Sequence, residues 1–396
     1  MLSTPLLSWF LHHRNHVSPA KMDMTGRGGR PTRKVPLPKH PGNTYLPFKE
    51  LIKLGKIDDR TFRSIALPFA PGGPLGVGRS YGAHVYMQAC YAACQTVSEG
   101  FLIHNVSGNF ILSGELNIPF VYKVHIIRNG RSYCTRIVNV TQSQSKGICF
   151  TCTISFKTPE PSQIQCQETL NIFENYSSVL RNKTPTDFPE CPSMDLPFYH
   201  KLLQSGAIEN DSFPGLECRK VDMTNYNKDK HPLDRRQLIF YRTIGSLPSD
   251  DPNMHLCAHI FATDRNSLYI VANHFELGDY FTAMSSLAHT VTIHSPMEAL
   301  RFGNGEKSAT GTVLEDRDGK GKWFCMEVSG DRIGYGRALY HGRFWSSDGT
   351  HIMTAMQDGL IRFTNVQEAS EEEKKFMEEQ SSRWRDQSRR RKEQKL

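Results

Sequence analysis

The sequence predicts an α+β fold in which two consecutive blocks each wrap an antiparallel sheet around a helix. In the first block, apolar residues between Ala83 and Val97 recur at helical spacing, and strand-like segments follow. The second block, from residue 235, repeats this order of elements with little residue-level similarity. Proline, asparagine, aspartate and lysine are frequent between the blocks. We therefore expect two sheet-and-helix domains, at 46–160 and 235–365, joined by a linker region at 161–234.

Local patterns predict the individual elements. Strands of the first block are expected at 110–112, 120–128, 133–142 and 147–157. Asn129-Gly130 is a dipeptide that favours a tight hairpin turn between two of them. Helical stretches of the second block are expected at 256–262 and 268–275, with Thr263-Asp264 as a break between them. Its strands are expected at 237–242, 288–294, 322–328, 337–346 and 351–363.

The composition indicates a soluble, folded protein with basic ends. A chain of 396 residues can bury a sizeable core, and no uninterrupted apolar run is long enough for a membrane span. The formal net charge of +8 favours anionic ligands, such as the phosphates of a nucleotide-bearing thioester. Basic and aromatic residues do not cluster together in the interior of the chain, so we expect no nucleic-acid partner.

The ten cysteines show no disulfide-framework spacing, and we expect them to be reduced core residues of an intracellular protein. Cys149 and Cys152 have the spacing of half a zinc site, but no second pair stands at a suitable distance. They also lie in a strand-like segment. We therefore expect no metal.

Both ends of the chain are charged and poor in apolar residues. Residues 1–45 are basic and contain a single acidic residue, Asp23, which predicts a disordered leader. This leader has a weak transit-peptide character, and Met22 or Met24 offers an alternative start. Residues 366–396 are first acidic and then basic, as in a solvated tail. The final Gln394-Lys395-Leu396 differs from a peroxisomal address only at its first position, so a peroxisomal location is suspected, with cytoplasm and mitochondrion left open.

Four stretches of the second block carry a family pattern: Phe240-Tyr241-Arg242, Ala262-Thr263-Asp264, residues 286–296 and the closing hairpin at 342–362. In these stretches the second block resembles the acyl-CoA thioesterase II family of bacterial and peroxisomal-type enzymes. In the first block, 81–89 and 121–133 are similar to the same family, less closely. This resemblance implies a double hotdog fold and hydrolysis of acyl-CoA to free acid and CoA, with no cofactor. It leaves a homo-oligomer through the hotdog sheets open.

Thioester hydrolysis requires an activated water and donors that face the developing oxyanion. The family resemblance implies that an Asp, a Ser or Thr, and a Gln position this water. The glutamine falls on Gln357, and the aspartate position falls on Ala288, which has no titratable group. His289 is a poor replacement, because successive strand residues point to opposite faces.

The hydroxyl position of the resemblance falls at Gly330 or Asp331. A one-residue slip would supply Ser329, and Asp331 would supply the missing carboxylate. The candidate catalytic residues are therefore Gln357, Ser329 and Asp331.

Two alternatives to a water-activating thioesterase remain open. Ala288 favours a catalytically weak or inactive hotdog protein that binds acyl thioesters or a partner. Separately, Gly78-Arg79-Ser80-Tyr81-Gly82 fits the nucleophile elbow of a serine hydrolase, which would make Ser80 the nucleophile. The glycines and prolines before this motif are not those of a buried strand, and the alternating strand–helix pattern of that fold is missing.

Overall fold

The computed structural model of the chain describes residues 46–72, 79–167, 172–208, 213–303 and 320–363. The predicted leader and charged tail lie outside these residues. The first half of the chain contains helix α1 (Phe48–Leu51), strands β1 (Leu54–Asp58) and β2 (Thr61–Ser64), helix α2 (Gly82–Cys94), and strands β3 (Leu102–Phe110), β4 (Val121–Asn129), β5 (Tyr133–Thr141) and β6 (Phe150–Lys157).

The connecting region contains short helices and one strand. They are α3 (Ile172–Asn175), α4 (Ser177–Leu180), α5 (Pro197–Gln204), β7 (Leu216–Lys220) and α6 (Thr224–Asn227). The second half follows with β8 (Gln237–Thr243), α7 (Pro252–Ala262), α8 (Ser267–His274), β9 (Phe281–Ile293), α9 (Met297–Leu300), β10 (Phe324–Gly334), β11 (Arg337–Trp345) and β12 (His351–Phe363).

All twelve strands belong to one sheet in the order β1-β2-β4-β5-β6-β3-β9-β12-β11-β10-β8-β7. Read from its two edges, the sheet has the same order of elements in both halves of the chain. The halves meet where β3 pairs antiparallel with β9, with Val106 opposite Val291. Each half is thus a six-stranded antiparallel sheet with its own helix, which confirms the predicted α+β double hotdog.

The core lies between the sheet and the helices α2 and α7. Ten of the thirteen residues of α2 are buried, because the helix is covered by strands of its own half and by α7. Helix α7 begins at Pro252, and its first turn is capped by Asp251, whose side chain accepts from Met254 N at 3.0 Å. Both helices are therefore central packing elements that hold the two halves together.

Several elements differ from the sequence-based expectation. Strands β1 and β2 are additional, β3 lies almost entirely before the strand expected at 110–112, and β10 continues beyond residue 328. Strand β7 lies within the predicted linker and pairs with β8, so the second sheet begins before residue 235. Strand β9 begins at Phe281, seven residues before the predicted start, because its first half is rich in small polar residues that carry no alternating apolar pattern. The break at Thr263-Asp264 is present between α7 and α8.

Candidate active site

The break between α7 and α8 places an aspartate in the interior. Helix α7 ends at Ala262, and Asn266 adopts a left-handed conformation (φ 58°) that starts α8 in a new direction. Asp264, between them, is only 8% exposed. A buried carboxylate is costly unless hydrogen bonds satisfy it, so its partners define the site.

Three donors surround the carboxylate of Asp264. Its Oδ1 accepts from Gln357 Nε2 at 2.9 Å and from Ser267 Oγ at 3.0 Å. Its Oδ2 accepts from the backbone N–H of Ala83 at 3.0 Å. Burial raises the pKa of Asp264 to about 6, although all three hydrogen bonds act to lower it. The group can therefore gain and lose a proton near neutral pH.

Gln357 connects this carboxylate to the sheet. It is fully buried on β12, and its Nε2 also donates to Ser286 Oγ on β9 at 2.5 Å. With both amide protons directed to these acceptors, Oε1 has no hydrogen-bond partner among the described residues. The amide thus presents an unused acceptor beside a carboxylate and a hydroxyl.

The N-terminus of α2 approaches the same carboxylate because its first residue is glycine. A Cβ at Gly82 would lie 2.9 Å from Asp264 Oδ2 and 3.1 Å from Phe110 Cε1. The positive end of the helix dipole also faces Asp264. As the first residue of α2, Gly82 carries an N–H that the helix itself leaves unbonded.

A cavity of about 380 Å³ opens onto this cluster. Both halves of the chain line it, so the site lies at their junction. Its walls are largely apolar on the side of the first half and include Val85, Phe110, Phe120 and Phe150. Asp264, Ser267 and Ser286 line it from the second half. The arrangement offers a polar reacting end and an apolar binding surface.

The structure does not bring Ser329 and Asp331 to Gln357. Across the strands, Gly330 pairs with Tyr340, which pairs with Gln357, so these three residues share one face of the sheet. Ser329 therefore points to the other face, where it lines a separate depression with Asp331. Of the three candidate residues predicted from the sequence, Gln357 therefore lies in the cluster, and Ser329 and Asp331 lie apart from it.

Ala288, which the resemblance places at the aspartate position, does not face the cluster. Ala288 pairs with Asp358, next to Gln357 on β12, and so lies on the face opposite the cluster. His289, directly opposite Gln357, is fully buried, and burial lowers its pKa to about 3. The carboxylate comes instead from Asp264, in the Ala262-Thr263-Asp264 stretch, and the hydroxyl comes from Ser286. Both lie in segments similar to the family, but neither sequence pattern shows that they meet.

The observed fold excludes the serine-hydrolase alternative. Every strand pairing in the described residues is antiparallel, whereas the nucleophile elbow requires a parallel sheet. Ser80 does line the cavity described above, just before α2. All ten cysteines lie in described segments and are free thiols. None of the described helices has the length and apolar character needed to cross a bilayer.

The fold and the site together define a double hotdog protein with one carboxylate–amide–hydroxyl cluster between its halves. A family model described as the acyl-CoA thioesterase N-terminal domain matches residues 72–157, and one described as the C-terminal domain matches 219–361. The chain belongs to the acyl-CoA thioesterase II family.

Individual relatives agree with this assignment. The chain is 26% identical over 286 residues to acyl-coenzyme A thioesterase 8 of Mus musculus, covering 72% of this chain and 80% of the relative. It is 26% identical over 321 residues to acyl-CoA thioesterase 2 of Haemophilus influenzae, covering 79% and 96%.

Solved structures show the same fold. The acyl-CoA thioesterase II TesB2 of Mycobacterium marinum matches with a TM-score of 0.56 at 22% identity, over 81% of this chain and 99% of that one. A conserved hot dog protein of Alicyclobacillus acidocaldarius matches with a TM-score of 0.55 at 15% identity, over 80% and 97%.

Proposed function

We propose that the protein hydrolyses acyl-CoA to free acid and CoA by direct attack of water. The observation that carries this proposal is the hydrogen-bonded set of Asp264, Gln357 and Ser286, of which Asp264 and Ser286 line the cavity between the two halves. A carboxylate, an amide oxygen and a hydroxyl can position and activate water without forming a covalent intermediate. The names of the relatives support acyl-CoA as the substrate class.

Asp264 is the general base of the proposed reaction. Its pKa of about 6 leaves it ionised at neutral pH but basic enough to accept a proton as water attacks. The unused Oε1 of Gln357 accepts the second O–H of this water and fixes its orientation. The water oxygen bonds to the thioester carbon, and the proton taken by Asp264 then passes to the departing sulfur as the C–S bond breaks.

The carbonyl oxygen of the thioester gains negative charge during this attack. Ser286 Oγ accepts from Gln357, which leaves its own proton available to donate to that oxygen. The N–H of Gly82 lies on the same cavity wall at the positive end of α2. We assign these two groups to oxyanion stabilisation, a role in which a single donor typically contributes about 100-fold or more in rate.

The apolar wall of the cavity is assigned to the acyl group. Phe110, Phe120 and Phe150 provide a hydrophobic surface close to Asp264. Burial of each methylene of an acyl chain there stabilises the complex by about 0.8 kcal/mol. The alternative of an inactive thioester-binding protein rested on Ala288, and Asp264 supplies the carboxylate that this position lacks.

The test is release of CoA from a panel of acyl-CoAs by the wild type and three variants. We expect Gln357→Ala to lower kcat by about 100-fold or more, because water loses its orienting acceptor. Ser80→Ala should retain most of the activity, and Ser329→Ala, on the other face of the sheet, should be unchanged. Saturable binding of acyl-CoA without any release of CoA would contradict the proposed reaction. Loss of activity in Ser80→Ala alone would assign the chemistry to a covalent serine.

Location and assembly remain predictions. The peroxisomal location would place the reaction in fatty acyl metabolism, and the residues that suggest it are Gln394-Lys395-Leu396. Imaging of an N-terminally tagged chain with and without these three residues tests it. Light scattering of the purified chain tests the homo-oligomer.

A further inference from the structure

A second cavity, of about 660 Å³, lies at the far end of helix α8 from the catalytic cluster. The helix begins at Ser267, which contacts Asp264, and ends at His274, which lines the second cavity. At 1.5 Å per residue, the two ends are roughly 10 Å apart. The volume of this second cavity lies in the range of small-molecule sites.

Basic side chains surround this cavity. Lys220, Lys228, Arg235 and His200 line it. Lys228 has no acceptor among the described residues. Each of the other three basic side chains contacts an acidic side chain. Lys220 Nζ and His200 Nε2 contact Asp195 at 2.7 Å and 2.8 Å.

The acidic groups near the cavity do not cancel this positive character. Asp195 is 1% exposed and lies behind Lys220, so its charge is already paired. Arg235 Nη2 contacts Glu276 Oε1 at 2.8 Å, but that carboxylate side chain is 77% exposed and is screened by water. Asp222 is exposed at the rim and accepts from Thr224.

His274 lies in the positive electrostatic field of these side chains. It is 6% exposed, and its Nδ1 has no partner among the described residues. Burial, the largest cause, and the nearby Arg235, Arg236 and Lys220 together lower its pKa to about 4, while Asp195 opposes them. A desolvated imidazole among three cations is a position that an anion would stabilise.

We propose that this cavity binds a phosphate-bearing anion, held by Lys220, Lys228 and His274. The phosphate could belong to the nucleotide end of a CoA thioester or to a separate phosphate ester. The proposal is independent of the hydrolysis proposed above, because it concerns binding and is measured without turnover.

Calorimetric titration of the full chain with inorganic phosphate and with adenosine 3′,5′-bisphosphate, the nucleotide part of CoA, tests the site. We expect millimolar or tighter binding that Lys228→Glu weakens by about tenfold, since a nearby attractive charge becomes repulsive. Lys49→Glu, which makes the same change of charge at an exposed position of helix α1, should bind like the wild type. His274→Gln provides a second variant, with weakened binding expected and folding checked by circular dichroism.

Two results would overturn the proposal. One is the absence of binding of either ligand to the folded wild type. The other is an equal loss in Lys49→Glu and Lys228→Glu, which would indicate attraction to the whole chain. When binding is found, competition by the bisphosphate against acyl-CoA assigns the site to the CoA nucleotide, and binding without competition assigns it to a separate phosphate ester.

Discussion

Gln357 Nε2 donates to Asp264 Oδ1 at 2.9 Å, which joins the closing strand of the sheet to a helix break 93 residues earlier in the chain. The amide therefore has a defined orientation, with its nitrogen toward the carboxylate and its oxygen left for another partner. The same contact lowers the pKa of Asp264 against the effect of burial. The balance between these two effects sets the pH range in which the carboxylate can act.

Replacing Asp264 with Asn should remove activity and change how stability depends on pH. We expect kcat to fall by about 100-fold or more through loss of the general base. The folded-state pKa of Asp264 is raised from 3.8 to about 6, so its contribution to stability is present below pH 3.8 and is lost as pH rises through 6. This loss amounts to about 3 kcal/mol.

Because Asn does not titrate, the unfolding free energy of Asp264→Asn relative to wild type should increase by about 2 kcal/mol between pH 4 and pH 7. Denaturant unfolding at the two pH values measures this difference. A difference that does not change with pH would mean that Asp264 titrates normally.

Ser267→Ala should shift the acidic limb of the pH–rate profile upwards. Ser267 Oγ donates to Asp264 Oδ1 and lowers the pKa of that carboxyl. Without this donor the pKa rises, and a higher pH is needed to ionise the base. We expect near-normal kcat at high pH and a midpoint about one pH unit above that of the wild type. An unshifted midpoint with uniformly reduced kcat would point to a packing defect alone.

Gly82→Ala should damage the site through a steric clash. The added Cβ would meet Asp264 Oδ2 and the ring of Phe110, and neither can move without disturbing the cluster. We expect a loss of about 1–3 kcal/mol of stability and at least tenfold in kcat/KM. Gly147→Ala is the matched control, because a Cβ there meets nothing within 4 Å. Wild-type activity of Gly82→Ala would show that the approach of α2 is not needed.

Ala288→Asp should leave the rate unchanged. Its side chain lies on the face of β9 opposite the cluster and would stand beside Asp358. We expect about 0.2–1 kcal/mol of destabilisation from the two like charges across the strands, with kcat within error of the wild type. An increase in kcat would mean that Ala288 occupies the catalytic aspartate position after all.

Local patterns in the sequence predict much of the fold. The apolar spacing of α2, the hairpin at Asn129-Gly130 and the helix break before Asn266 depend on neighbours in the chain. The resemblance to a family adds Gln357 as a candidate site residue. Strand β7 escapes prediction because its five residues lie between polar segments and gain their stability from pairing with β8.

The site is less predictable because its members come from distant segments. Asp264 belongs to a stretch that resembles the family, but its role depends on burial and on donors from α2 and β12. Ser329 and Ser286 are both strand serines, and only the pairing of β9, β10, β11 and β12 decides which of them faces Gln357. A shift of one residue exchanges the two faces.

The hydrogen bond between Ala83 and Asp264 spans 181 residues of the chain. Contacts between such distant residues form late, since the entropy of closing the intervening loop must be offset first. Each half can build its local helix and hairpins before this contact exists. During refolding, enzyme activity should therefore return after secondary structure, and an arrested intermediate with near-native circular dichroism would be catalytically silent.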